Sequence, residues 1–292
     1  MGKFDGILLA TDLDSTLLDA GRRISEGNRR AIEYFEREGG FFTYVTGRTP
    51  FGTRVILDQM TPRIPFGCLN GGGIYDANAN QYVWRAELDP RAEELIDFVH
   101  ARFPEVGIEL CGFDTAWVLC RNRIIDEHMA LERLDFADAT FGEVKDRGLA
   151  KALLMTEADR IGGLAEAIAS HPLASEFAFV QSAEQYYEIL PRGASKGALL
   201  SRLAGMLGIS PDKTVAVGDN HNDASMIRAA HLGVAVANAT PPAKDAADLV
   251  LDVTNEQDAI ACLIARLESD LHFTKDQNEN MNTHTGGTDE NG

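Results

Sequence analysis

The sequence predicts an α/β fold: a parallel sheet with helices on both faces, interrupted by an α+β insertion. Three observations carry this reading. Short apolar runs alternate with amphipathic stretches at both ends of the chain, several of those runs end in polar or acidic residues, and the texture changes between about 81 and 187. Regular alternation of strands and helices implies crossover connections and a parallel sheet, whose ligands sit beyond the strand C-termini.

Ile7 to Thr11 reads as a buried strand that ends in Asp12-Leu-Asp14. A helix follows, with Ser25 as N-cap, Ala31, Ile32 and Phe35 as its apolar stripe and Gly39 as its stop. Phe41 to Val45 repeats the strand pattern and ends in Thr46-Gly47-Arg48, Phe51 to Met60 reads as a helix, and Phe66 to Leu69 as a third strand. Asn70-Gly-Gly-Gly73 lacks the dinucleotide-binding spacing, because Asp76 stands at the last glycine position, so it reads as a turn. Late in the chain come a helix over Lys196 to Leu207, a strand over Thr214 to Val217, a helix over Ala224 to Ala230, and short strands at Gly233 to Val236 and Leu249 to Leu251. These complete one sheet with the first set.

Within the insertion, Pro90 to Phe103 and Asp159 to Ser170 read as helices; Ile108 to Cys111, Trp117 to Cys120, Ala152 to Met155 and Phe177 to Gln181 read as strands. The expected organisation is a core of 1–81 and 188–268, an inserted domain of 82–187, and a disordered tail of 269–292, where apolar residues thin out. The 292 residues are 45% hydrophobic and 25% charged, ordinary globular usage. A net charge of -18 argues against a surface that neutralises nucleic-acid phosphates, and any anionic ligand requires a local cation. The four cysteines show neither C-x-x-C nor zinc-ligand spacing, so buried reduced thiols are expected. The short apolar run 7–10 is neither a signal-peptide core nor a membrane span, and Gly6 stands where a myristoylation motif needs Ser or Thr. A cytoplasmic protein without membrane or nucleic-acid partners, monomeric or homodimeric, is the expectation.

Asp12 and Asp14, two residues apart at a strand end, place two carboxylates on one side of the chain. Gly218-Asp219-Asn220-His221-Asn222-Asp223 follows a second apolar strand and adds two more at the same edge of the sheet. Like charges gathered there need a cation. Hard oxygen donors in a partly open cluster suit Mg²⁺, whereas EF-hand spacing and its terminal glutamate are missing.

Together these segments resemble the HAD superfamily hydrolases. Asp12-Leu-Asp14-Ser15-Thr16-Leu17 is similar to their first motif, Thr46-Gly47-Arg48 to the second, Lys196 in Pro191-Arg-Gly-Ala-Ser-Lys-Gly197 to the third, and Gly218 to Asp223 to the fourth, all in order across about 5–265. An insertion between Thr46 and Lys196, with Cys68-Leu-Asn-Gly-Gly-Gly-Ile74 and Glu188-Ile-Leu-Pro191, resembles the Cof-type subfamily, which has a type IIB α+β cap over a Rossmann-like core and includes sugar phosphatases. Ser15 departs from the glycine that many of its members carry there.

The resemblance implies a role for each matching residue. Asp12 would be the nucleophile that forms an aspartyl-phosphate, and Asp14 the general acid and then base. Mg²⁺ would be held by Asp12, Asp219 and the Asp14 carbonyl; Thr46, Lys196 and Asn222 would donate to the phosphoryl group, next to Gly47. Asp223 would bind the metal directly or steady Lys196 or a metal-bound water, and Arg48 would reach substrate or pair with a local acid. His221 reads as a variable loop position. The implied activity is hydrolysis of a small phosphomonoester such as a sugar phosphate, with a phosphomutase or a non-catalytic phosphate-ligand-binding protein as alternatives. Trp84, Trp117, Tyr186 and Tyr187 read as insertion-core aromatics, with substrate contact the alternative.

Overall fold

The computed structural model describes residues 2–132 and 136–269; the tail expectation, Ser269 apart, falls outside them. In chain order the first part comprises β1 (Leu8–Thr11), a tight turn over Leu13–Leu17, α1 (Glu26–Arg37), β2 (Phe41–Tyr44), α2 (Pro50–Leu57), β3 (Phe66–Cys68), β4 (Gly73–Asp76) and β5 (Gln81–Arg85). The middle comprises α3 (Ala92–Arg102), β6 (Gly107–Gly112), β7 (Ala116–Cys120), α4 (Arg123–Glu132), β8 (Ala137–Asp138), α5 (Phe141–Val144), β9 (Leu149–Met155), α6 (Ile161–Ala169), β10 (Phe177–Ala183) and β11 (Tyr186–Pro191). The chain closes with α7 (Lys196–Leu207), β12 (Thr214–Gly218), α8 (Ala224–Ala229), β13 (Leu232–Ala235), α9 (Pro241–Ala246), β14 (Leu249–Val250) and a helical segment over 259–269.

Five strands form a parallel sheet in the order β14-β13-β12-β1-β2, and Val45 bridges in parallel to Gly67 of β3. From β1 the chain progresses outward to β2, and from β12 outward to β13 and β14, so strand order reverses between β1 and β12. That crevice is where an open α/β sheet binds ligands. Burial explains the alternation along β1: Leu9 packs in one layer with Phe35, Ile260 and Leu263, while Leu8 and Ala10 pack in the other with Leu199, Leu203 and Met226. Ser25 caps α1 as expected, accepting from the Asn28 amide. α2 ends at Leu57, ahead of the expected Met60, whose carbonyl instead accepts the Tyr44 hydroxyl at 2.8 Å.

A second sheet, order β10-β11-β9-β6-β7-β8, is antiparallel except for the β7–β8 pair. One face carries Ile108, Leu110, Ala152, Leu154 and Ile189 against Leu95, Val99, Leu164 and Ile168 of α3 and α6. Period-two alternation turns Glu109, Cys111, Lys151, Leu153, Tyr186 and Glu188 to the other face. β5 pairs with β4 and β11 with β9, so residues 82–85 belong to the β3-β4-β5 sheet and 188–191 to the six-stranded one. Local pairing therefore runs past both expected boundaries, because each joins the middle of a strand rather than a loop. Among the described residues no helix is long and apolar enough to cross a membrane. All four cysteines are free; Cys68 and Cys111 are buried as expected, Cys120 and Cys262 only partly.

Candidate active site

The ends of β1 and β12 bring Asp12 and Asp219 together, both buried. The Asp12 amide donates to the Val217 carbonyl at 2.9 Å, extending the β1–β12 ladder by one bond and fixing where the carboxylate starts. The following turn needs Ser15 at φ 58°, the left-handed region that favours glycine, which is the physical reason for glycine in this place elsewhere. Thr16 in that turn donates to Asp219 Oδ1 at 2.7 Å.

Lys196 enters as the first residue of α7 and is 1% exposed. Its ammonium donates to Asp12 Oδ1 at 2.7 Å and to Asp223 Oδ1 at 2.5 Å. Asp223 Oδ2 accepts from the Asp219 and Asn220 amides at 3.0 and 2.9 Å. That fold-back requires a glycine at 218, where an added Cβ would stand 2.4 Å from the Asp223 Cβ.

Carboxylate oxygens of Asp12, Asp219 and Asp223 lie within 4.8 Å of one another, a group able to hold a metal. Burial, then the charge of Asp223, pushes the Asp12 carboxyl well up despite Lys196, and the same two causes push Asp219 up to about 7. Burial alone would lower Lys196, but Asp12 and Asp223 outweigh it and raise it. One ammonium among three buried carboxylates leaves the cluster short of positive charge, and hard oxygen donors fit a hard divalent cation.

Asp14 stands apart. Its carboxylate is half-exposed and takes both Nε and Nη2 of Arg48 at 2.7 Å, while Arg48 Nη1 donates to the Gly52 carbonyl at 3.1 Å. Partial desolvation pushes the Asp14 carboxyl up, but the Arg48 bonds and charge overrule it and the net shift is downward. The local acid for Arg48 is thus Asp14. Thr46 is buried beside it, and its hydroxyl oxygen accepts the Arg48 amide at 3.1 Å.

Above these groups lies a cavity of about 390 Å³, bounded by Asp12, Asp14, Thr46, Gly47, Arg48, Asn222 and Asp219 on one side and by Glu109, Cys111, Lys151, Tyr186 and Glu188 of the six-stranded sheet on the other. A sequence profile of haloacid dehalogenase-like hydrolases matches residues 9–264. The chain belongs to that family. It is similar to YxeH of Bacillus subtilis, 31% identical over 260 residues that cover 85% of this chain and 94% of that protein. It is also similar to the 5-amino-6-(5-phospho-D-ribitylamino)uracil phosphatase YcsE of Bacillus subtilis, 27% identical over 255 residues, 87% of this chain and 92% of that one. Among solved structures, TM0651 from Thermotoga maritima matches with a TM-score of 0.74 at 25% identity, over 89% of this chain and 97% of that one.

This haloacid dehalogenase-like hydrolase thus gathers Asp12, Asp219, Asp223 and Lys196 into one hydrogen-bonded cluster, with Asp14, Thr46 and Arg48 beside it. Asn222 lines the cavity; its Nδ2 donates to Asn70 Oδ1 at 3.0 Å, and its own Oδ1 is buried without a hydrogen-bond partner. His221 is exposed and does not line the cavity. Sequence reading missed the chain of bonds that continues from Asn222. Asn70, read only as a turn residue, has φ 52° and donates to Glu188 Oε1 at 2.9 Å. Lys151 donates to Glu188 Oε2 at 2.8 Å and to the Gly47 carbonyl at 3.1 Å, tying the two sheets together. An added Cβ at Gly47 would stand 2.8 Å from Asn70 Nδ2, so the glycine permits this approach. Of the four aromatics, only Tyr186 lines the cavity; Trp84 packs under Arg202, Trp117 against the α3–α6 face, and Tyr187 stacks on Phe179.

Proposed function

We propose that this hydrolase is a magnesium-dependent phosphatase of small organic phosphomonoesters that works through an aspartyl-phosphate on Asp12. The observation that carries the reading is Lys196, buried between Asp12 and Asp223 at the reversal point of the sheet and below a cavity of metabolite size. Asp12 attacks phosphorus, the bond from phosphorus to the ester oxygen breaks, and Asp14 gives its proton to that oxygen. Water then attacks the phosphoryl group, its proton passes to Asp14, and inorganic phosphate leaves with Asp12 restored. Lys196 and Thr46 hold charge that develops on the phosphoryl oxygens. Asp12, Asp219 and the Asp14 carbonyl would hold magnesium, which would supply positive charge between the anionic nucleophile and the anionic substrate.

Two details refine the roles. Both Asp223 oxygens are engaged by N–H donors, which supports Asp223 as the group that positions Lys196 and the 219–220 backbone rather than a direct metal ligand. Asp14 must exchange Arg48 for the ester oxygen, and a phosphoryl dianion in the cavity competes for the same guanidinium. In this reading the parallel-sheet core performs the chemistry, and the inserted cap, about 82–187, closes over it.

Hydrolysis of para-nitrophenyl phosphate by the purified protein tests the reading. Turnover is expected with Mg²⁺, to vanish with a chelator, and to fall about 10⁴-fold in Asp12→Asn, equivalent to about 5 kcal/mol of barrier. Undiminished turnover in Asp12→Asn would remove the aspartyl-phosphate from the mechanism.

A further inference from the structure

Two loops of the site and the six-stranded sheet meet at Asn70. Its backbone amide donates to the Thr46 carbonyl at 3.1 Å and the Leu69 amide to the Arg48 carbonyl at 3.0 Å, so the 69–70 turn is stitched to the segment that carries Thr46 and Arg48. Both turn residues hold left-handed backbone, with φ 59° at Leu69 and 52° at Asn70. Asparagine tolerates that conformation and leucine does not, and strain of this kind persists where its surroundings over-determine a functional position. The Asn70 side chain is buried between Glu188 and Asn222, and the direction of the bonds on either side follows from one fact: a carboxylate only accepts. Glu188 gives Oε2 to the Lys151 ammonium at 2.8 Å and Oε1 to Asn70 Nδ2 at 2.9 Å. Asn70 therefore turns its oxygen to the other side, where Asn222 meets it with Nδ2 at 3.0 Å. Asn222 keeps this orientation although its Oδ1 is left buried without a partner. An amide nitrogen carries two hydrogens, and Asn70 takes one of them.

We propose that Asn70 and Glu188 are positioning residues, which together fix the Asn222 amide with its nitrogen, not its oxygen, toward the phosphoryl group. The second Nδ2 hydrogen of Asn222 then stabilises charge on the phosphoryl oxygens, whereas an oxygen turned to the same place would repel them. The direction is set at β11, by the one acceptor in the series that cannot turn over into a donor. With an amide at 188, the Lys151 ammonium would hold its oxygen, its nitrogen would face Asn70, and both asparagines would turn over.

This inference rests on the phosphatase reading, and the experiment separates the two. Glu188→Gln keeps the shape of the side chain and inverts the series, so kcat for para-nitrophenyl phosphate is expected to fall about 10²-fold, the effect of one lost donor, with KM within about threefold. Adding Asn70→Asp restores the direction, because the new carboxylate accepts both from Asn222 Nδ2 and from the amide at 188. In this double variant kcat is expected to return to within about threefold of the parent. In an Asn222→Ala background neither Glu188→Gln nor the pair should change kcat by more than about threefold, whereas an effect of packing or charge alone would persist there. Undiminished kcat in Glu188→Gln, no recovery in the double variant, or a loss that persists without Asn222 would overturn the assignment. Should Glu188→Gln not fold, the double variant, which keeps the buried charge count, decides by itself: kcat within about threefold of the parent upholds the relay, and a larger loss overturns it. Should the intact protein hydrolyse no ester, the phosphatase reading fails by itself, and calorimetric affinity for inorganic phosphate then decides. Affinity weakened in Glu188→Gln and restored in the double variant upholds the relay; any other pattern removes it.

Discussion

The two walls of the cavity are built on opposite plans. On the core wall every ionised group already has a partner: Lys196 on Asp12 and Asp223, Asp219 on Thr16, Asp14 on Arg48. On the cap wall, Lys151 and Glu188 are paired, whereas Glu109 keeps an oxygen with no hydrogen-bond partner. The core wall is preorganised for a reaction that is the same for any ester, so its dipoles can be fixed in advance.

Removing the central cation is the strongest way to break this contrast. Lys196→Met leaves three buried carboxylates facing one another, and a buried ion pair that loses one member is destabilised by about 3–5 kcal/mol. The expected outcome is a lower midpoint in denaturant with an unchanged slope, together with a large loss of kcat. A midpoint within error of the parent would mean that the cluster is not held together by its lysine.

The two walls also differ in how much of them a sequence can display. Asp12, Asp14, Thr46, Lys196 and Asp219 were legible because each sits within three residues of a strand end or at a helix start, and local periodicity marks those places. Lys151, Glu109 and Glu188 face the cavity only because β9, β6 and β11 pair in one register, with Glu109 opposite Leu153 and Leu153 opposite Glu188. That register is set by pairing between residues 35 and 44 positions apart, and a one-residue slip of a strand would turn its cavity residue away. α4, which carries His128, was not among the elements read from the sequence. Arg48 shows a middle case: a local acid was one of two partners read for it, the substrate the other, and the identity of that acid depended on how β1 and β2 align.

Lys151 sharpens the comparison because it belongs to the cap yet touches the core. Lys151→Met strands the buried Glu188 carboxylate and cuts the bond to the Gly47 carbonyl, with an expected cost of about 3 kcal/mol in denaturant unfolding. Its kinetic signature should differ from that of Lys196→Met, with KM rising more than kcat falls, because Lys151 meets the reaction centre only through Gly47. A pure loss of kcat would place Lys151 in the chemistry instead. A smaller effect is expected from the metal: Mg²⁺ at about 100 times its Kd should stabilise the protein by about 2.7 kcal/mol, and Asp219→Asn should abolish most of that gain. Thermal unfolding with and without Mg²⁺ measures both.

The smallest expected effect belongs to His221, and it is informative for that reason. It lies inside the acidic segment that carries Asp219 and Asp223, and a histidine there invites an acid-base role. The structure turns it to solvent, with its amide and its Nδ1 both next to Asn220 Oδ1, at 2.8 and 3.1 Å, and keeps it off the cavity lining. His221→Ala should therefore change stability by no more than about 0.5 kcal/mol, the range of an exposed substitution, and leave kcat within about twofold. A loss of tenfold or more in kcat, with Mg²⁺ stabilisation intact, would extend the fixed catalytic wall to a residue outside the cavity and erase the line between the two walls on that side.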